Sequence, residues 1–164
     1  MASLTLVEIL AMIMFGEAGV MESPSAAMAI GHVYLNRINQ WGLSPEEAAQ
    51  GFFAFPMIKL EDVPIWYFPL ANAVLYSGND PTHGCLYIFS WHDTNNMYDI
   101  FAPLVRKDAA WSEWDGVYGL YAYKDIPVID IFSRDVVEYM RAVVSMLDLV
   151  SAIPQSCVMC RNQP

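Results

Sequence analysis

From Ile9 to Phe15 the chain runs through seven apolar residues without one charged side chain, and Gly16-Glu17 comes directly after. Leu4, Leu6, Val7, Leu10, Ala11 and Met14 recur at helical spacing, so this run predicts a helix with a buried apolar face and Glu17 at its C-terminal end. A carboxylate is badly placed there. The helix dipole disfavours negative charge at a C-terminus, an apolar wall desolvates it, and both effects raise its pKa. A carboxyl of that kind stays protonated near neutral pH and can act as a general acid. The competing reading is an ordinary solvated glutamate at a helix end.

The chain's 164 residues suffice for one domain with a sizeable core. Hydrophobic residues make up 55% and aromatics 13%, which marks a globular chain with more rings than a core requires. Aromatic faces stack on sugars and other flat ligands, although any single ring is more often core. The formal charge is −10, from eight basic and eighteen acidic residues, so no cationic footprint exists for a nucleic-acid partner. Glu8 interrupts the N-terminal apolar stretch and no Lys or Arg precedes Arg37, so neither a signal peptide nor a membrane anchor is expected.

Three cysteines cannot build a disulfide framework. Cys157 and Cys160 form a lone Cys-x-x-Cys without a second pair, and no metal or cofactor is expected. Cys85 lies near His83, His92 and Asp93, a set conceivable as a nucleophile pair or metal site, but it opens an apolar run and reads as buried and structural.

Ser23-Pro24 predicts a helix start, with the helix reaching about Asn39, and Ser44-Pro45-Glu46-Glu47 is a capping box for a short helix closed by Gly51. A further helix is expected from Phe68 to Ser77, stopped by Gly78-Asn79-Asp80-Pro81. Strands are expected at Cys85 to Phe89, Tyr118 to Tyr123 and Ile126 to Phe132, with a loop-rich stretch from Ser90 to Asp115. Ser133 should cap a last helix to about Val150, stopped by Pro154, with Val136, Met140, Val143, Val144 and Leu147 on its buried face. The expected fold class is α+β: a single domain with a mainly helical N-terminal part, a small antiparallel sheet and a C-terminal helix.

Three segments in this order resemble the SleB-type cell-wall hydrolases, the spore-cortex-lytic family whose members cleave the glycan strands of peptidoglycan. Gly16-Glu17-Ala18 with Glu22 is similar to the family's Gly-Glu-Ala-x-Gly-Glu signature, with one extra residue before the second glutamate. Ala29-Ile30-Gly31-His32-Val33-Tyr34-Leu35-Asn36-Arg37 resembles its small-residue helix ending in Leu-Asn-Arg. The helix through Ala73 to Gly78, followed by Asp80-Pro81 and the run to Tyr87, is similar to its Asp-Pro turn and strand. Phe52 stands where the family has the glutamine of a Gly-Gln-Phe.

The resemblance implies lysozyme-like catalytic helices, Glu17 as the catalytic glutamate and peptidoglycan glycan strands as the partner. A lytic transglycosylase needs only one carboxyl, because the sugar's own C6 hydroxyl captures the cationic centre, whereas a hydrolase needs two. Glu22, Asp80 and Asp93 are the candidates for a second acid, and Glu22 can equally support the next helix start. Asn36 and Arg37 either orient a loop or substrate or bond the last helix carbonyls. Tyr87 and Phe52, Phe53 and Phe55 are candidates for a glycan groove. The rival from another class is a catalytically idle glycan-binding or virion structural protein. A wall-cleaving enzyme without export signal or anchor fits a phage lysin or virion-associated enzyme, or a trimmed form of an exported one.

Overall fold

The structure is a computed structural model that describes residues 4–151, so Pro154, Cys157 and Cys160 lie outside the described residues. The chain divides into two compact units, residues 1–127 and 128–164. The architecture is α+β, with helices and a three-stranded antiparallel sheet.

In the first unit, α1 (Leu6–Ala18) begins with a reciprocal capping box in which the Thr5 side chain accepts from Glu8 N–H and Glu8 accepts from Thr5. Its burial goes beyond the single apolar face that periodicity predicts. Every residue from Ile9 to Met14 is buried, so α1 is a central helix enclosed by its neighbours. Those neighbours are α2 (Pro24–Trp41), α3 (Pro45–Ala49) and α4 (Tyr67–Tyr76). Ser23 caps α2 by accepting from Ala26 N–H, with Pro24 at the first helical position, and Ser44 closes a capping box with Glu47. Gly31 of α2 lies where a Cβ would meet Leu10, Met14 and Val74 at 3.1 Å each, which lets α1, α2 and α4 approach closely.

The strands β1 (Tyr87–Ser90), β2 (Trp111–Trp114) and β3 (Gly119–Tyr123) are ordered β1-β3-β2, all antiparallel. Tyr87 opposes Tyr123, and Trp111 opposes Ala122. Leu120 and Ala122 join the helical core, while the Tyr123 hydroxyl donates to Val105 O at 3.0 Å on another element.

The stretch from Ser90 to Asp115 is not loop-rich: it holds α5 (Trp91–Tyr98), α6 (Ala102–Lys107) and β2. Ser90 and Asp93 form a capping box, and Pro103 sits in the first turn of α6. Ile126 to Phe132 is not a strand. Pro127 brings no N–H to a ladder, and Asp130 accepts from Phe132 N–H while its carbonyl accepts from Ser133 N–H, a turn that leads into a helix.

In the second unit, α7 (Arg134–Ser151) begins after Ser133, whose side chain accepts from Val136 N–H. Its expected buried face is only partly buried. Val136 is buried and Met140 and Val143 are half-buried, but Val144 and Leu147 are exposed. Periodicity specifies that a helix has an apolar face; it does not specify what covers it. Among the described residues, no helix is long and apolar enough to cross a membrane.

A polar cluster anchors the turn between α4 and β1. Asp80 Oδ1 accepts from Thr82 N–H at 2.8 Å and Thr82 Oγ1 at 2.7 Å, and Oδ2 accepts from Gly84 N–H at 2.7 Å and Asn36 Nδ2 at 2.9 Å. Burial alone would raise the Asp80 pKa, but these four bonds hold it below the ordinary carboxylate value. The stability Asp80 supplies is therefore present above the unfolded pKa of about 4 and lost as pH falls through the lower folded value. Asp80→Ala should destabilise the protein by about 3 kcal/mol at neutral pH, because three N–H donors and a hydroxyl lose a charged acceptor. Urea unfolding checks this, and a loss below about 1 kcal/mol would mean water replaces the carboxylate.

Candidate functional site

Glu17 occupies the last turn of α1, half-buried. Its Oε1 accepts from the backbone N–H of Ala54 at 2.9 Å. Burial pushes its pKa above the ordinary value, and the charge of Asp93 adds to the rise. The Ala54 and Phe53 backbone groups and the Arg37 guanidinium oppose it. The net direction is upward, so desolvation outweighs the hydrogen bonds and the cation. A solvated helix-end glutamate would not show this.

The loop that delivers Ala54 N–H touches α1 at Gly16. A Cβ on Gly16 would lie 2.7 Å from Ala54 Cβ and 3.1 Å from Ile58 Cγ1. Only glycine leaves room for the loop to lie against the helix.

Asn36 and Arg37, in the C-terminal half of α2, bond loops and not the carbonyls of their own helix. Asn36 Nδ2 also donates to Cys85 O at 3.1 Å, and Arg37 donates from Nε to Leu86 O at 2.7 Å and from Nη1 to Gly51 O at 3.1 Å. The Arg37 guanidinium carbon stands 4.4 Å from the centre of the Phe52 ring. Phe52, 3% exposed, is thus a core residue under Arg37 and edge-on to Tyr34, not part of a groove. Phe55 is half-buried against the core, whereas Phe53 is 86% exposed beside Ala54.

Tyr87 is half-buried on β1, its ring 5.9 Å from that of Trp41. Burial lowers the Arg37 pKa and the charge of Glu17 raises it, so the structure brings Glu17 and Arg37 into one electrostatic neighbourhood. Glu22 is elsewhere. It ends the short 3₁₀ turn Gly19–Met21 in the left-handed conformation (φ 49°, ψ 29°), exposed, and lines a cavity with Phe15, Gly19, Pro64, Trp66 and Tyr67. It does not cap α2; Ser23 does.

Of the other candidate acids, Asp80 is consumed by the turn it organises. Asp93, exposed at the start of α5, accepts from Ser90 N–H and Oγ at 2.8 and 2.7 Å and acts on Glu17 through its charge. Cys85 is fully buried, and burial first and the Asp80 charge second push its thiol up to about 11. It offers no thiolate at neutral pH, and His83 and His92 are exposed. Among the described residues, no group of three or more His, Cys, Asp or Glu side chains could hold a metal ion.

Sequence reasoning missed an aromatic shelf. Trp91 and Trp114, both partly exposed, hold their ring centres 4.9 Å apart, with the Arg106 guanidinium 3.2 Å from the Trp91 ring centre. Arg106 is buried and fixed by Thr94 Oγ1 at 2.8 Å and by Asn95. The signal was present: Trp91 comes directly after the Ser90 cap, two residues before Asp93.

Comparison of the chain with protein-family models, curated proteins and solved structures found no match.

Glu17→Gln should increase stability at neutral pH, because it removes a desolvated carboxylate while the amide oxygen can still accept from Ala54. The sign is set by the raised pKa: the protonated wild-type side chain costs nothing extra at low pH, and its relative stability is lost as pH rises through the folded value. The variant's advantage should thus appear above about pH 4.3, grow until the pH passes the raised folded value and then level off, read by denaturant melts at several pH values. Gly16→Ala should destabilise by about 1–3 kcal/mol, since the clash with Ala54 exceeds the gain of about 1 kcal/mol that alanine brings to a helix interior. A more stable Gly16→Ala protein would show that the loop yields freely.

Proposed function

We propose that the protein cleaves the glycan strands of peptidoglycan between N-acetylmuramic acid and N-acetylglucosamine, as a SleB-like lytic transglycosylase. The observation that carries this reading is Glu17: a half-buried carboxyl with a raised pKa, held by a backbone N–H at the end of a helix. On this reading the helices around α1 correspond to lysozyme-like catalytic helices. The order of Gly16-Glu17-Ala18, Leu35-Asn36-Arg37 and Asp80-Pro81 along the chain supports it further.

Protonated Glu17 donates its proton to the glycosidic oxygen as the bond to muramyl C1 breaks. The C6 hydroxyl of the same sugar then attacks C1 and gives its proton to the Glu17 carboxylate, closing a 1,6-anhydro ring and restoring the acid. The Ala54 N–H steadies the carboxylate between the two steps. Trp91, at the start of the helix that carries Asp93, and Trp114 offer exposed ring surface for sugars.

One observation favours a second reading. Asp93 is the carboxylate whose charge acts on Glu17, so a two-acid muramidase would use Asp93 in preference to Glu22. Products from purified peptidoglycan separate the readings: anhydro-muramyl ends identify the transglycosylase, reducing ends the hydrolase, and no release a glycan-binding or structural protein.

Glu17→Gln should lower activity by about 10²-fold or more while circular dichroism stays unchanged. Near-normal clearing of a peptidoglycan suspension by the folded variant would remove Glu17 from the mechanism. kcat/KM on a soluble glycan fragment should fall as pH rises past the Glu17 pKa, with the alkaline limb above the ordinary carboxylate range because burial raises that pKa. A limb centred near pH 4.3 would contradict the desolvation argument.

A further inference from the structure

The cavity beside Glu22 has a volume of about 360 Å³ and is lined by Phe15, Gly19, Glu22, Pro64, Trp66 and Tyr67. Three of those six residues are aromatic, one is a carboxylate and none is basic. Tyr67 is buried and fixes the wall: Trp66 stacks on it at 3.9 Å between ring centres, and Phe15 meets it edge-on at 5.4 Å. Among the described residues no Lys or Arg pairs with Glu22. The Glu22 carboxylate shares the cavity lining with Trp66 and Tyr67, and its charge adds to the burial that raises the Tyr67 pKa.

The backbone holds Glu22 there. A left-handed residue closing a 3₁₀ turn is ordinarily glycine or asparagine, and a glutamate in that conformation is disfavoured. The turn itself thus gives no reason for a carboxylate.

We propose that this cavity binds a compact quaternary ammonium group, with Glu22 as its counter-charge and the exposed part of Trp66 as its aromatic wall. An anion would meet Glu22 within a chain of net charge −10. A bare metal ion needs several oxygen ligands, and the lining supplies one carboxylate. A neutral ligand would leave the carboxylate partly desolvated without a partner. A quaternary ammonium gains from both features, because its charge is attracted to a ring face and its alkyl groups leave it little hydration to lose. The proposal does not depend on glycan cleavage, since binding is read directly.

The test is a matched pair of probes, choline and 3,3-dimethylbutan-1-ol, which share a shape and differ in charge. Each is titrated into the full chain at fixed ionic strength, and the indole N–H resonance of Trp66, assigned with Trp66→Phe, reports binding. Choline should saturate in the millimolar range, and the neutral probe should bind at least about tenfold more weakly. Glu22→Gln should cut that preference to under about threefold with circular dichroism unchanged. Glu22→Asn, whose side chain suits the left-handed turn, gives the same reading should the glutamine variant misfold. Equal binding of the two probes, or a preference that survives in both variants, overturns the proposal and attributes the binding to the chain's general negative charge. N-acetylglucosamine displacing choline at lower concentration than choline itself requires also overturns it, in favour of a neutral sugar subsite.

Discussion

Helix α1 has no solvent face between Ile9 and Met14, and this enclosure is the constraint on which the rest of the first unit depends. A helix buried all round must be covered from several directions, which α2, α3 and α4 do together. The cover thins at both ends of the helix, and at the C-terminal end Phe15, Gly16 and Glu17 become half-buried. The carboxylate therefore sits at the boundary between core and solvent, close enough to the apolar wall to be desolvated and open enough for a ligand to reach. A charge placed one turn earlier would have had to be paired or neutral; one placed a turn later would have been an ordinary surface group.

A second constraint is polar. Asn36 and Arg37, adjacent on α2, send their side chains to different loops: Asn36 to the turn held by Asp80, and Arg37 to the carbonyls of Leu86 and Gly51. Gly51 must be glycine for this, since a Cβ would lie 2.7 Å from Arg37 Nη1. Two consecutive side chains thus fix the segment before β1 and the loop leading to Ala54, the donor to Glu17. His32 contributes less: its Nδ1 stands 4.0 Å from Asp80 Oδ1, and Nε2 has no hydrogen-bond partner among the described residues.

The parts of this structure that were legible in the sequence are those coded locally. Ser23-Pro24, Ser44-Pro45 and the apolar run placed α1 to α3 because caps and periodicity act within a few residues. α5 was hidden because it is under three turns long and too polar for a clear apolar stripe, α6 because six residues are too few to show a helical period, and β2 because four residues give only two periods of alternation. The same limit applies at the site. Glu17 stood out as a charge closing an apolar run, whereas Ala54 contributes only a backbone N–H, which every residue but proline carries. Glu22 stands in the left-handed conformation, and the sequence Val20-Met21-Glu22-Ser23 does not announce it.

The balance of charge around Glu17 carries the last step. On the proposed reading Glu17 donates a proton in one step and accepts one in the next, which asks for a pKa that is raised but not raised without limit. Burial and Asp93 push it up; Arg37 and the Ala54 N–H hold it back. Arg37 can do so because its partners are the carbonyls of Leu86 and Gly51, which are neutral, and no carboxylate pairs with it among the described residues. A salt bridge there would cancel the cation's field at Glu17. By bonding its guanidinium to neutral acceptors and covering it with Phe52, the fold keeps a full positive charge at a fixed place, and one side chain both ties down the loops and moderates the acid they surround.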